Sequence, residues 1–442
     1  MYEKREKQIA LAKELYYKAL ESINPTKLIS QKLSYEAGNL RVNSLNFPLD
    51  SYKKIYIIGA GKASGAMAKA IEEILGDRIS GGMVIVKDGY SVPLSKISIY
   101  EASHPIPDSR GLKATKLMLN LINNFEEEDL VINLIGGGGS ALLIAPPEGV
   151  TLGDIQILTS TLLSCGASIE EINTLRKHLS RVKGGLLAQK IYPATSLNLI
   201  LSDVLGDKLS FIASGPTVED PTTFKDCLEI IYKYNLIEKL PTSIISYIKK
   251  GVAGKVPETL KTPPPKTFNI IIGNLHTALE RLVEILPQEG LAPLLLTGFL
   301  EGEVNEVAYV LASIIKEVKR YNLPLPPPCG IILGGEPTVT IKGKGKGGRN
   351  QHLALAMSIL IDGMEDVVFL SGASDGTDGP TEVAGAIVDG NTVSEALKAG
   401  ISAKTYLENY DSYNFFARAG GHLKPGPTFT NVNDIILILI FK

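Results

Sequence analysis

The chain has 442 residues, with 45 Lys and Arg against 47 Asp and Glu and an apolar content of 44%. This charge balance excludes a strongly basic nucleic-acid-binding protein, and the apolar content excludes a disordered acidic chain. The length predicts two or three domains. The three cysteines, Cys165, Cys227 and Cys329, are isolated, which argues against a disulfide framework or a structural zinc site and is typical of a reducing compartment.

The N-terminal residues are too charged for a signal peptide, and the longest apolar run, residues 435–441, has the length of a strand. We therefore expect a cytoplasmic protein with no membrane partner. Residues 9–23 place Leu11, Leu15 and Ala19 on one side of an amphipathic helix, which we expect to pack on the rest of the protein.

From Lys53 onward, short β-branched runs alternate with longer helical segments, which predicts a mainly parallel sheet. Helices are expected over residues 63–75, 110–123, 169–190, 224–234 and 241–250. The segment KVPETLKTPPPK, residues 255–266, is the strongest linker candidate because three consecutive prolines cannot continue a helix or a central strand. We place the domain boundary at Pro265, which gives domains of residues 1–265 and 266–442.

The second domain repeats the alternation of strands and helices. Its helices are expected over residues 276–286, 304–321 and 351–361, and its last strand is IILILIF. That last strand could instead pack back on the first domain. The predicted fold class is α/β with two domains, and we expect ligands in the cleft between them.

The loop GAGKASG, residues 59–65, follows a predicted strand and precedes a helix, which makes it a candidate anion site. It resembles a dinucleotide fingerprint but has Ser64 in place of the third glycine, and it is not a Walker A loop. Lys62 on the first turn of a helix opposes the helix dipole, which favours a contact with an anionic ligand over a solvated lysine. Gly61 and Ser64 are predicted to share this contact.

A second loop, GGGGS, follows the predicted strand LVINLI. The backbone amides of Gly137, Gly138 and Gly139 are expected to bind a substrate or phosphate group together with Ser140. A flexible tight turn is the alternative.

A third loop, GKGKGGRN, interleaves glycines with cations. Phosphate is the expected partner of Lys344, Lys346 and Arg349, and Asn350 is expected to cap the following helix and to join the phosphate site. A solvated basic loop is the alternative.

Two acidic loops follow predicted strands, with Asp203 in the first and Asp375 and Asp378 in the second. Beside phosphate-binding loops they suggest Mg²⁺, which proteins bind through one or two carboxylates plus phosphate oxygens. Ordinary turn chemistry is the alternative. The segment NTLRKH adds Arg176 and Lys177, polar groups of the kind that line a cleft, although taken alone they favour a solvated helix face.

Taken together, the loops resemble those of the ATP-dependent glycerate 2-kinases of the MOFRL family. The matching segments are GAGKAS, GGGGSAL, INTLRKHLSRVKGG, LSDVLGD, ASGPT, GGEPTVTIKGKGKGGRNQ and SDGTDGPTEVAGAIVD. The resemblance implies a Rossmann-like N-terminal domain, a C-terminal MOFRL domain, and the family's functional lysine and arginine at Lys62 and Arg349.

The resulting hypothesis is in-line transfer of a phosphoryl group from ATP to the 2-hydroxyl of D-glycerate, which yields 2-phosphoglycerate. Lys62 and Arg349 would offset the developing charge, and Asp203 would orient or deprotonate the hydroxyl. An NAD(P)H-dependent hydroxypyruvate reductase and a non-catalytic sugar-phosphate-binding regulator are the alternatives. A homodimer is left open.

Overall fold

The computed structural model describes residues 2–442, which form sixteen α-helices and fifteen β-strands. The helices are α1 (Tyr2–Ser22), α2 (Pro25–Lys32), α3 (Ser64–Leu75), α4 (Ser109–Ile122), α5 (Gly139–Leu142), α6 (Leu152–Ser164), α7 (Ile169–His178), α8 (Leu186–Ile191), α9 (Phe224–Lys233), α10 (Thr242–Val252), α11 (Leu275–Ile285), α12 (Val304–Tyr321), α13 (Arg349–Leu360), α14 (Thr392–Lys398), α15 (Ala403–Glu408) and α16 (Ser412–Ala419). The strands are β1 (Leu33–Glu36), β2 (Asn39–Val42), β3 (Leu45–Pro48), β4 (Lys54–Ala60), β5 (Gly81–Lys87), β6 (Ser98–Ala102), β7 (Asp129–Ile135), β8 (Thr195–Leu201), β9 (Thr267–Gly273), β10 (Ala292–Leu300), β11 (Cys329–Gly335), β12 (Val367–Ala373), β13 (Gly385–Asp389), β14 (His422–Leu423) and β15 (Asp434–Ile440).

The chain divides into two units. We call residues 25–272 the central unit, and residues up to 24 together with those from 273 onward the composite unit. The central unit contains a six-stranded sheet in the order β6-β5-β4-β7-β8-β9 and a small antiparallel sheet of β1, β2 and β3. The four pairings between β6 and β5, β5 and β4, β4 and β7, and β7 and β8 are all parallel, which confirms the predicted parallel sheet.

The composite unit contains a mixed sheet in the order β10-β11-β15-β12-β13-β14. Only β10 and β11 pair in parallel, and β15 lies antiparallel between β11 and β12. All seven residues of β15 are buried. The final strand therefore completes the centre of the second sheet rather than packing on the first one, because its continuous apolar sequence requires burial on both faces.

The N-terminal helix also differs from the sequence-based boundaries, since it groups with the composite unit rather than with residues 25–265. Its Tyr16 is fully buried and donates a hydrogen bond to the carbonyl oxygen of Ala373 at the end of β12 (2.8 Å). Arg5 forms an ion pair with Asp389 at the end of β13. A local pattern predicts the helix, whereas its partners lie more than 350 residues away along the chain.

The helix expected over residues 169–190 is two helices, α7 and α8. Gly184 and Gly185 separate them with φ values of 55° and 81°, a left-handed conformation that an α-helix cannot contain. Within residues 2–442, no helix is both long and apolar enough to cross a membrane.

Candidate active site

Three loops of the central unit follow the carboxyl ends of adjacent parallel strands. Residues 61–63 follow β4, residues 136–140 follow β7, and residues 202–207 follow β8. The strand order β6-β5-β4-β7-β8-β9 is that of dinucleotide-binding sheets, in which connections run to opposite sides at the β4/β7 pair. Ligands bind outside the carboxyl ends of the strands at such a switch point.

Lys62 lies in the turn before α3 and its side chain is 6% exposed. The sequence predicted Lys62 on the first turn of the helix, whereas the structure places it just before α3. Its backbone N–H donates to the carbonyl oxygen of Gly137 (2.9 Å), which joins the first two loops. Gly61 allows this close approach, because it has a φ of 148° and a Cβ there would lie 2.6 Å from the carbonyl oxygen of Gly136.

Ser64, which we expected to contact the ligand, is hydrogen-bonded within the fold. Its side chain is fully buried, and its hydroxyl donates to the carbonyl oxygen of Leu134 in β7 (2.8 Å). The bond holds the start of α3 against the neighbouring strand, so the hydroxyl is not available to a ligand.

In the second loop, residues 136–140, some backbone N–H groups are hydrogen-bonded within the protein and others are not. In the described part of the chain, the N–H groups of Gly137 and Gly138 donate to no backbone or side-chain acceptor. The N–H of Gly139 closes a turn with the carbonyl oxygen of Gly136 (3.2 Å). The two unused amides fit the expected anion contact, whereas the Gly139 amide is already satisfied.

Ser140 is the first member of a chain of side-chain hydrogen bonds. Its hydroxyl lies 2.8 Å from that of Ser214, which donates to Oδ1 of Asn173 in α7 (3.1 Å). In this arrangement the Ser140 proton is directed to Ser214. The backbone at Ala213 and Ser214 is left-handed, with φ values of 49° and 61°, a strained conformation that clusters at ligand sites.

Lys177 is buried rather than solvated, which corrects our interpretation of the helix face. Its ammonium lies 3.3 Å from a carboxylate oxygen of Asp220, and the side chains are 4% and 0% exposed. The neighbouring His178 is also buried and lies 3.0 Å from a carboxylate oxygen of Glu258. Both basic groups therefore have acidic partners inside the central unit.

The basic loop of the composite unit packs against residues 409–411. The N–H groups of Lys344 and Lys346 donate to the side chains of Asn409 (3.4 Å) and Asp411 (2.9 Å). The N–H of Gly345 donates to the carbonyl oxygen of Asn409 (3.0 Å). These amides are therefore occupied, although the side chains of Lys344 and Lys346 are exposed.

Arg349 begins α13 and is held by two carboxylates. It binds Asp434 through Nε (2.6 Å) and Nη2 (3.1 Å), and Glu336 through Nη1 (2.9 Å). Burial lowers the pKa of Arg349, but these two carboxylates outweigh that effect and the pKa is raised. Asp434 is fully buried; burial raises its pKa to about 6, and Arg349 offsets only part of that rise. Two of the five guanidinium N–H donors remain beyond these bonds.

Asp378 occupies the N-terminal end of α13 and does not suit the metal-binding role we expected. One of its carboxylate oxygens accepts from the backbone N–H and side-chain amide of Asn350 (3.1 and 3.3 Å). The other accepts from the corresponding groups of Gln351 (both 2.9 Å). Burial raises the pKa of Asp378 despite these bonds.

Asn350 is likewise committed and is not available to a phosphate group. Its side-chain oxygen accepts from Ser371 (2.6 Å), and both of its donors reach Asp378. Asp375 is 9% exposed, and one carboxylate oxygen accepts two bonds from Thr377. Across residues 2–442, no three His, Cys, Asp or Glu side chains form a group that could hold a metal ion.

These features define the class. A Rossmann-type sheet that carries a buried lysine and a glycine loop at its switch point is typical of α/β enzymes with anionic ligands. Two family models match the sequence: a domain of unknown function (DUF4147) over residues 11–249, and the MOFRL family over residues 329–434.

Similar proteins extend over nearly the whole chain. A glycerate 2-kinase from Pyrococcus horikoshii is 40% identical over 96% of this chain and 95% of its own length. A D-glycerate 2-kinase from Thermotoga maritima is 41% identical, with coverage of 97% and 98%. A crystal structure of glycerate kinase from T. maritima superposes with a TM-score of 0.87 and covers 98% of this chain and 100% of that one. The chain therefore belongs to the family of kinases that join a DUF4147 domain to a MOFRL domain, which confirms the resemblance inferred from the loops.

Proposed function

We propose that this kinase transfers the terminal phosphoryl group of ATP to the 2-hydroxyl of D-glycerate, with Mg²⁺ as the required ion. The observation that carries the proposal is the joining of Lys62 to the four-glycine loop at the switch point of the first sheet. The family's glycerate kinases supply the substrate class.

The chemistry requires positive charge more than covalent help from the protein. Lys62 is the proposed cation for the transferred phosphoryl group, and the amides of Gly137 and Gly138 are proposed to donate to an oxyanion. Arg349 is proposed as a second cation through its remaining donors. Asp203, which lies in the turn after β8, is proposed to orient or deprotonate the attacking hydroxyl.

Mg²⁺ prefers carboxylate and phosphate oxygens, and the acidic loops differ in how well they fit it. Asp203 and Asp375 offer carboxylates that are candidates to hold the ion, whereas Asp378 has both oxygens bound to four N–H donors. The ion, when bound with the nucleotide, would neutralise charge on the phosphate oxygens.

The reaction and its regiochemistry can be tested together. Purified protein is mixed with ATP, Mg²⁺ and D-glycerate, and enolase, which accepts only 2-phosphoglycerate, is coupled directly. We expect immediate signal from enolase and a matching release of ADP. Signal that requires added phosphoglycerate mutase would instead identify the 3-hydroxyl as the acceptor, and a lack of ADP would refute the kinase proposal.

A second candidate activity comes from two relatives in Agrobacterium vitis, each 39% identical and named a putative hydroxypyruvate reductase. The first glycine loop departs from the dinucleotide fingerprint at Ser64, whose hydroxyl is committed to β7. We therefore expect no oxidation of NADH or NADPH with hydroxypyruvate. Oxidation that depends on hydroxypyruvate would favour the reductase.

A further inference from the structure

Three consecutive basic residues end α7, and only two of them have acidic partners. Lys177 pairs with Asp220, and His178 lies beside Glu258. Arg176 is partly buried, yet among the residues that the structure describes its guanidinium has no hydrogen-bond acceptor and no ion-pair partner. Because arginine keeps its proton in a protein, this partly buried charge and its donors can serve an anionic ligand.

A second basic side chain, seven residues further along the chain, also has no acidic partner among the described residues. Lys183 is 2% exposed, and its ammonium donates to the carbonyl oxygen of Leu143 (2.6 Å), a neutral group. Burial and the charge of Arg176 lower the pKa of Lys183 from its ordinary 10.5 to about 7. A bound anion would favour the charged form of Lys183 and would offset the cost of burying the two basic groups.

The elements that carry these cations also meet the four-glycine loop. Leu143 directly follows α5, the short helix that begins at this loop. Asn173, one turn before Arg176 on α7, accepts the hydrogen bond from Ser214 that continues to Ser140. The N–H of Gly184, the residue after Lys183, donates to the carbonyl oxygen of Ser214 (3.1 Å).

We propose that Arg176 and Lys183 form an anion-binding subsite beside the four-glycine loop, and that its ligand is the carboxylate of the hydroxy-acid substrate. The assignment of the substrate rests on the proposed function. A planar guanidinium with free donors matches a carboxylate in two parallel hydrogen bonds, and an ammonium adds a second charge. The subsite would anchor the carboxylate next to the 2-hydroxyl and leave Lys62 and the open amides for phosphate groups.

The test compares Arg176→Met and Arg176→Lys with Arg181→Met, a control at an exposed arginine five residues further along the chain. We expect Arg176→Met to raise the KM for D-glycerate by about one to two orders of magnitude and to leave the KM for ATP nearly unchanged. Arg176→Lys should lie between wild type and Arg176→Met, because it keeps the charge but not the paired donors. The control should behave as wild type.

The Tm of the ligand-free variants distinguishes a binding role of Arg176 from a structural role. Removal of an unpaired, partly buried cation should leave the Tm of the ligand-free protein unchanged or higher, whereas loss of a structural residue would lower it. An increase in the KM for ATP alone would assign the cations to phosphate. Unchanged values for both substrates, or a large fall in Tm, would overturn the proposal.

A direct measurement of ligand binding tests the subsite independently of the kinase activity. Titration calorimetry with D-glycerate, hydroxypyruvate and glycerol should show binding of the two carboxylates by wild type, no binding of glycerol, and weakened binding of both carboxylates by Arg176→Met. If wild type binds D-glycerate in this manner but releases no ADP, the kinase proposal fails while the subsite stands. If wild type binds neither carboxylate, the subsite is refuted.

Discussion

The substitution Asp378→Asn decides between a metal ligand and a structural carboxylate. The carboxylate accepts four hydrogen bonds from Asn350 and Gln351, two on each oxygen, at the N-terminal end of α13. An asparagine side chain keeps one oxygen that accepts hydrogen bonds and replaces the other with an NH2 group. Two of the four donors would then face this NH2 group and have no acceptor. Each buried donor left without an acceptor costs about 1–3 kcal/mol.

The neutral side chain also removes the cost of burying a charge, which offsets part of this loss. We therefore expect Asp378→Asn to lower the free energy of unfolding by about 3 kcal/mol. Urea denaturation would measure the change, and magnesium titration of the turnover rate should retain the wild-type midpoint. Normal stability combined with a raised magnesium requirement would refute this reasoning and assign Asp378 to the metal.

The control is Asp362→Asn, which changes an exposed carboxylate just beyond the other end of α13. Asp362 makes no hydrogen bond with the rest of the described chain. Its removal should be neutral or slightly stabilising, because a negative charge near a helix C-terminus opposes the helix dipole. A similar loss of stability in both variants would show that the four bonds are not its cause.

Three further predictions concern the cations. Lys62→Met should lower kcat by about 10²–10³ and change the Tm little, whereas Lys69→Met, at an exposed position on α3, should match wild type. Arg349→Ala should destabilise the protein by about 3–5 kcal/mol, because Asp434 is left buried without its partner, and the double variant with Asp434→Asn should recover most of the stability but not the turnover. The lowered pKa of Lys183 means that, between pH 7 and 10.5, the unfolded chain holds a proton that the ligand-free folded protein has released. The free energy of unfolding should therefore rise with pH across this range, by roughly 1 kcal/mol per pH unit relative to Lys183→Met.

Each of these predictions can fail in a distinct way. Near-normal turnover in Lys62→Met would place the phosphoryl site elsewhere. Restored turnover in the double variant of Arg349 and Asp434 would limit the arginine to a structural role. A pH profile of stability that is the same with and without Lys183 would show that this lysine titrates near its ordinary pKa.

Local sequence patterns were sufficient for the helices and strands that alternate from Lys53 onward. The periodicity of buried positions is a property of each segment, so β4, α3 and α12 were predicted to within a residue or two. Glycine loops after strands were also recognisable, because a close approach of two backbones, as at Gly61, requires glycine. Their order along the chain identified the family.

The partners of the charged side chains, and how deeply those side chains are buried, depend on the tertiary structure and not on local sequence patterns. Arg349 pairs with Asp434, which lies 85 residues away along the chain, and Asp378 reaches the start of a helix that precedes it by nearly 30 residues. No local pattern distinguishes Asp378 from Asp203, which lies in a similar loop after a strand. The same holds for Arg176 and Lys177, adjacent basic residues of which only Lys177 meets an acid.

The sequence by itself thus determined most of the secondary structure, the parallel first sheet and the kinase family, since these depend on residue type and spacing. Only the tertiary structure showed that the first helix and the last strand both belong to the composite unit. It also showed that Ser64, Asn350 and Asp378 are hydrogen-bonded within the fold. The physical reason is that a side chain's role depends on which donors, acceptors and charges surround it. Those neighbours are brought together by folding from distant parts of the chain.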